Sequence, residues 1–288
     1  MLTPSASLVV LNANNEVLLV QRHSKASAFA DVHVFPGGIY DGEQDNDSLR
    51  MTALRETFEE TGLLLAAPPG ALDTNTLLNA RELIHSRKIT FPEMLATHHL
   101  EPDVEALLPF TDWITPVEYK RRFQTRFFVT FLAPDSNVVA TSDGGIETVS
   151  AQFLPAATWL SLFNARKIVL MSPQVYILQT LAELQRTSPA GRQSLRANVV
   201  RLSRGAFSRM VITPTRLSGL AGKPGQTAVM VYEGDEERGG SPGRRHREHT
   251  VFGKSGVTVQ VRIERNFDIF TGVELASAKM PQLQMAKL

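Results

Sequence analysis

Residues Asp47 to Thr61 constrain this chain more than any other stretch. Apolar side chains recur there at helical spacing, Asp47 or Ser48 stands where an N-cap belongs, and Gly62 follows the last periodic residue. The spacing predicts a helix. At roughly 100° per residue, Glu56, Glu59 and Glu60 fall within an arc of about 100°. Met51, Leu54 and Phe58 lie on the opposite side, where they can face a core. Three carboxylates on one face repel each other unless something compensates. Two readings follow. One is a solvated acidic face, which is common on helices. The other is a shell of oxygen ligands of the kind that a hard cation such as Mg²⁺ requires. The Gly37-Gly38 pair upstream favours the second, because glycine lets a backbone carbonyl approach an ion closely. Arg55, four residues before Glu59, is placed to hold that carboxylate in one rotamer.

The rest of the chain bounds what surrounds this helix. A length of 288 residues fits one large or two small domains. Hydrophobic residues at 43% and charged residues at 20% allow a full core and exclude a disordered or fibrous protein. A formal charge of +1 provides no global field toward nucleic acid or lipid. Without cysteine there is no disulfide, no thiolate nucleophile and no Cys-ligated zinc. No apolar run approaches the roughly 18 residues of a membrane span, and the first residues do not read as a secretory signal. Ser7–Leu11 and Val17–Val20 predict a hairpin, and Phe35-Pro36-Gly37-Gly38 a turn. Short helices are expected at Ala80–Ser86 and Phe91–Thr97, and strands at Arg126–Leu132 and Ser150–Leu154 with a turn at Asp143-Gly144-Gly145 between them. Ala156–Asn164 and Pro173–Arg186 read as helices. A break is expected at 187–191, followed by strand-like runs at Val211–Thr213, Ala228–Tyr232 and Val257–Ile263. Trp113 and Trp159 are expected in the core, and His98, His99 and His246 in structural or exposed positions. The stretch between Glu183 and Glu233 has no acidic residue but many arginines, which reads as a solvated surface or as an attractor for anionic nucleotides.

Gly37-Gly38, Glu43 and Arg55-Glu56-x-x-Glu59-Glu60-x-Gly62-Leu63 together resemble the Nudix box, the signature of hydrolases that cleave a nucleoside diphosphate linked to another moiety. Five residues separate Gly37 from Glu43, as in the usual pattern, but eleven rather than seven separate Glu43 from Arg55. A spacing of seven back from Arg55 lands on Asp47. The interrupted box resembles the branch that includes the peroxisomal coenzyme A diphosphatases. His33-Val34-Phe35-Pro36 before the box, Trp113-Ile114-Thr115-Pro116 and Arg122-Phe123 in the middle, and Glu147 and Trp159-Leu160-Ser161 later on also resemble that branch.

The resemblance implies an α/β fold: a Nudix-type α/β/α sandwich with a mixed sheet, a helical insertion over about 66–110 and a β-rich C-terminal extension. The expected division is a Nudix domain over 1–186, with its box at 37–63, and the extension over 187–288. It implies Mg²⁺ or Mn²⁺ held by Glu56, Glu59, Glu60 and the Gly38 carbonyl. Glu56, Glu59 and Arg55 are the expected catalytic residues, and Arg22, Gly37 and Glu147 are expected to meet the substrate. The expected substrate is a small nucleotide diphosphate, foremost coenzyme A or acyl-CoA split to 3′,5′-ADP and 4′-phosphopantetheine or its acylated form. Another diphosphate (a nucleotide sugar, a dinucleotide or an isoprenyl diphosphate) and a catalytically inactive binding module are the alternatives. Nucleic acid is not an expected partner, since no aromatic-rich basic groove is evident. Ala286-Lys287-Leu288 matches the small–basic–Leu form of a peroxisomal address, so a peroxisomal location and an import receptor are expected.

Overall fold

A computed structural model of the chain describes residues 2–23, 31–68, 72–133, 140–143, 145, 147–187, 192–217, 227–252 and 258–274. The elements run in the order β1 (Leu2–Leu11), β2 (Glu16–Arg22), β3 (His33–Val34), β4 (Gly37–Ile39), α1 (Leu49–Thr61), β5 (Ala66–Ala67), α2 (Thr74–His85), α3 (Phe91–Thr97) and β6 (Glu101–Pro102). They continue with β7 (Leu108–Ile114), β8 (Arg122–Phe131), β9 (Thr148–Pro155), α4 (Ala156–Asn164), α5 (Ser172–Arg186), α6 (Arg192–Arg204), β10 (Val211–Ile212), β11 (Thr215–Arg216), β12 (Thr227–Val231), β13 (His246–Phe252) and β14 (Thr258–Arg265).

Among the described residues eight strands form one mixed sheet. β1 runs parallel to β8 and antiparallel to β2 and β4, and β9 adds to β2. Side chains alternate across this sheet, as a pleated strand requires. Leu8 and Val10 of β1 join Met51, Leu54 and Phe58 of α1 in one core. Val9 and Leu11 join Trp159, Tyr176 and Leu181 in the other. Each such apolar side chain contributes roughly 1.5–3 kcal/mol on burial. Helices α1–α3 cover one face and α4–α6 the other, which is the expected α/β/α sandwich. Both expected core tryptophans are buried, and Trp159 Nε1 donates to the Val17 carbonyl at 2.9 Å.

Local chemistry accounts for the element ends. Ser48, not Asp47, caps α1: its Oγ accepts from the Arg50 amide at 3.2 Å. Gly62 closes the helix in the left-handed region (φ 73°), donating to the Phe58 carbonyl at 2.8 Å. α2 begins earlier than predicted because Asp73 accepts from the Asn75 and Thr76 amides and starts the helix. Phe91–Thr97 is helical as predicted, with a capping box between Thr90 and Glu93.

Two expectations are corrected. Gly37 and Gly38 form no turn but a short strand paired with Ser7 and Ala6 of β1. The chain beyond residue 191 begins with a helix, α6, rather than with strands. α6 packs against β7, and β10 pairs in parallel with Asp112 and Trp113 of β7. β10 is thus a strand of the main sheet, and α6 packs on that sheet. The β-rich part is the four-stranded antiparallel sheet β11-β12-β13-β14; its Val261 and Ile263, and Tyr232 just past β12, join the α4–α5 core. Gly144 of the expected turn, most of the expected break and the terminal tripeptide lie outside the described residues. Among the described residues no helix is long and apolar enough to cross a membrane.

His246 ties this second sheet to α5. Its Nδ1 lies 2.8 Å from the Glu233 carbonyl and its Nε2 2.9 Å from the Tyr176 hydroxyl. A carbonyl only accepts, so Nδ1 carries the proton and Nε2 accepts. Burial, helped by the Arg265 and Arg244 charges, lowers the imidazole pKa from 6.5 to about 4. Protonation thus favours the unfolded chain. The stability this neutral ring contributes is complete above about 6.5 and is lost as pH falls toward 4, on the order of 3 kcal/mol in all. Thermal melts between pH 7 and 4.5 are expected to fall more steeply for the wild type than for His246→Gln; parallel slopes would refute this coupling.

Candidate functional site

The box helix α1 buries its apolar side under β1 and turns its carboxylates toward a cleft of about 700 Å³. Glu56 and Glu59 line this cleft together with Gly37, Gly38, Arg22 and Glu147. Glu60 sits just behind them, 1% exposed. The side chains expected to share a site therefore do converge. They come from the end of β2, from β4, from one face of α1 and from the turn before β9.

Arg55 organises the cluster. Its Nη1 donates to Glu56 Oε1 at 2.8 Å and to Glu59 Oε1 at 2.9 Å. Its other side grips Asp45 through Nε at 2.7 Å and Nη2 at 3.1 Å. Burial alone would lower the guanidinium pKa, but the Asp45 hydrogen bonds and the Glu56 charge outweigh it, so the cation is held more firmly than usual. Asp45 is completely buried and also accepts from the Asp41 amide and the Thr52 hydroxyl. Glu43 and Asp47, the two acidic residues that the box spacing singles out, are exposed. Asp45 is the residue that sequence reasoning missed. Its carboxylate is held inward by Arg55, the Thr52 hydroxyl and the Asp41 amide, and spacing alone carries no signal for those partners. His85 and Arg81 of α2 were missed too. His85 Nδ1 stands 3.4 Å from Glu59 Oε2, and Arg81 Nε donates to the Glu59 carbonyl at 2.6 Å.

Glu60 Oε2 accepts from the Gly37 amide at 3.1 Å, while Oε1 is buried with no hydrogen bond and lies 3.8 Å from Arg22 Nη1. Burial and the Glu56 charge push its pKa well up, with a further push from Glu147; Arg22 and the Gly37 amide oppose this. Glu56 is pushed up to about 7 by burial and by the Glu59 and Glu147 charges, against the pull of Arg55. Glu147 itself is exposed, on a turn held by Asp143, which accepts from the Glu147 and Thr148 amides. The Thr148 hydroxyl donates to the Glu60 carbonyl at 3.1 Å and ties that turn to α1.

These features bear on a cation. Among the described residues no group of three or more His, Asp and Glu side chains is arranged to hold a metal ion. Arg55 occupies one oxygen of Glu56 and one of Glu59. Yet the clustered carboxylates and the unpartnered Glu60 Oε1 leave excess negative charge, which a divalent ion suits. Gly38 completes the cradle: a Cβ there would stand 2.3 Å from Glu56 Oε1. At Gly37 a Cβ would instead meet the Ala6 carbonyl at 2.4 Å. The two glycines predict different phenotypes. Gly37→Ala opposes backbone to backbone and is expected to cost about 1–3 kcal/mol of stability. Gly38→Ala displaces the end of a side chain, the Glu56 carboxylate, and no backbone. It should leave the melting temperature nearly unchanged but reduce activity about a hundredfold through misplacement of Glu56. Equal stability losses in the two variants would contradict this.

A helix with its acid face in a cleft, carried on a mixed sheet between helical layers, is the architecture of a Nudix domain. A crystal structure of a NUDIX hydrolase from Alicyclobacillus acidocaldarius superposes with a TM-score of 0.54 at 25% identity, covering 64% of this chain and 92% of that one. The chain is similar to the Nudix hydrolases. Within them, residues 44–181 match the NUDT19 Nudix domain. Acyl-coenzyme A diphosphatase NUDT19 of Xenopus laevis is 30% identical over 149 residues, 46% of this chain and 38% of the relative. Putative nudix hydrolase 7 of Caenorhabditis elegans is 26% identical over 188 residues, 63% of this chain and 61% of the relative. The matched part thus spans about two fifths to three fifths of these relatives.

Proposed function

We propose that this chain hydrolyses a nucleoside diphosphate-linked substrate by water attack on phosphorus, releasing a nucleoside monophosphate and the phosphorylated second moiety. The observation that carries this reading is the Glu56–Glu59–Glu60 cluster against Gly38, with the buried Glu60 Oε1 lacking a hydrogen bond. Glu56, Glu59, Glu60 and the Gly38 carbonyl would hold Mg²⁺ or Mn²⁺. When bound, the ion supplies positive charge that offsets the diphosphate oxygens and makes water more acidic. Glu56, lining the cleft beside the Gly38 backbone, is the candidate general base that takes the proton of the attacking water. Arg55 fixes the Glu56 and Glu59 rotamers. Arg22, whose buried Nε has no hydrogen bond, is the phosphate ligand, since a planar guanidinium matches phosphate oxygens. Glu147 stands at the substrate side of the cleft.

The finer reading is coenzyme A or acyl-CoA as substrate, split to 3′,5′-ADP and 4′-phosphopantetheine or its acylated form. It is supported by the interrupted box and by the name of the Xenopus relative. The peroxisomal address and import receptor expected from Ala286, Lys287 and Leu288 lie outside the described residues and add nothing to this reading. Assay of the full chain with Mg²⁺ or Mn²⁺ over coenzyme A, ADP-ribose, nucleotide sugars and dinucleotides, with products identified by mass, tests both levels. Cleavage of coenzyme A at the diphosphate is the expected result. Cleavage only of other diphosphates overturns the finer reading, and no cleavage overturns the whole.

A further inference from the structure

The same cleft has a second wall, and that wall is chemically unlike the first. Part of it comes from outside the segment that matches the Nudix domain: Met230 of β12, and Glu248 and Thr250 of β13. Trp113, near the end of β7, and Gln174, in the first turn of α5, also line the cleft. They are 4% and 6% exposed, and neither Trp113 Nε1 nor Gln174 Oε1 has a hydrogen-bond partner among the described residues. A buried polar group left unpaired is costly. One is a donor and the other an acceptor, complementary to the carbonyls and N–H groups that an amide-bearing chain carries. Met171 and Pro173 add apolar surface to this lining.

Charge gives the cleft a direction. The buried Glu248 carboxylate accepts from Ser172 Oγ at 2.8 Å and from the Thr250 and Tyr232 hydroxyls. It makes no ion pair with an arginine or lysine among the described residues. Arg216 also lines the cleft but is exposed, where water screens it. A phosphate placed here meets a buried negative charge. Toward the glutamates, by contrast, the cleft presents the Arg22 and Arg87 guanidiniums.

We propose that this wall is a recognition subsite for an uncharged, amide-bearing arm of the substrate. Trp113 Nε1 donates to an amide carbonyl and Gln174 Oε1 accepts from an amide N–H, while Glu248 keeps the diphosphate at the opposite end. This rests on the diphosphatase reading for its place in catalysis, but the subsite is testable without turnover. Pantetheine, a phosphate-free chain with amide groups, is the probe, and binding is read by saturation-transfer NMR. The wild-type chain is expected to bind it. Gln174→Leu and Trp113→Phe are each expected to weaken binding about tenfold, the loss of one hydrogen bond. Each should also lower the ratio of kcat/KM for coenzyme A to that for ADP-ribose by a similar factor. A merely structural role lowers both substrates together and leaves the ratio unmoved, which overturns the proposal. So does a wild type that fails to bind pantetheine, or variants that weaken adenosine binding instead. Pantetheine binding without hydrolysis of any diphosphate supports the subsite and sinks the diphosphatase reading alone.

Discussion

Glu60→Gln is expected to abolish turnover and, at the same time, to stabilise the ion-free protein. Both effects have one cause. Glu60 is buried beside Glu56, with Glu147 near enough to repel it, and its Oε1 has no hydrogen bond. An ionised carboxylate there is unfavourable until a cation arrives. Glutamine keeps the shape and removes the charge, so one ligand to the ion is lost. At least about a hundredfold in kcat is expected, equivalent to several kcal/mol of transition-state stabilisation. The stability gain, about 1 kcal/mol or more, has a defined pH dependence. An unfolded glutamate ionises near 4.5, whereas the folded Glu60 holds its proton well above that. Below about 4.5 wild type and variant carry the same charge at this position. As pH rises, the wild type loses stability that the variant keeps, so the difference between them grows. Chemical denaturation in EDTA at pH 4.5 and pH 8 measures it. A variant less stable than wild type at pH 8, or one that turns over normally, removes Glu60 from the proposed ion site.

Arg55→Leu is expected to have the largest effect on stability. Arg55 neutralises Asp45, Glu56 and Glu59 from one buried position and also donates to the Ile39 carbonyl. Removing it strands the fully buried Asp45 carboxylate and leaves the glutamates unopposed. Breaking a buried pair on one side costs about 3–5 kcal/mol. That is a large share of a typical folding free energy of roughly 5–15 kcal/mol and corresponds to a melting temperature lower by about 10 °C. Arg55→Lys restores the charge but not the fork that bonds Asp45 with two nitrogens, so it should recover only part of the loss. Adding Asp45→Asn to Arg55→Leu removes the stranded charge and is expected to restore stability without restoring activity. An additive double variant would show that Asp45 and Arg55 are not energetically coupled, contrary to the geometry.

The acid face of the box helix was legible because a helix repeats every 3.6 residues, and position alone puts Glu56, Glu59 and Glu60 together. Its ends were legible because Ser48 and Gly62 are chemically suited to cap. The two buried tryptophans were legible from their size and apolarity. Asp45 was not, because its burial depends on partners that only the folded loop brings to it, Arg55 and Thr52 of the helix and the Asp41 amide. Spacing rules point instead to Glu43 and Asp47, which the chain leaves in water. The Gly37-Gly38 pair reads as a turn by composition, but both pair with β1, which leaves room only for glycine at position 37. Helix α6 is rich in arginine, but Leu195, Val199 and Leu202 recur at helical spacing, so the stripe that meets the α4–α5 core was legible and only the core it meets was not.

By itself, then, the order of residues determined the helix that bears the carboxylates, its caps and most of the strands it packs on, since these follow from periodicities shorter than one element. Which acid is buried under Arg55, which glycine faces a carboxylate, and that a distant C-terminal sheet supplies part of the cleft were decided only in three dimensions. Those features depend on contacts between residues far apart along the chain: Arg55 with Ile39, Gly38 with Glu56, and Glu248 with Ser172. No local pattern encodes such pairs, because they form only when the two cores close around the sheet.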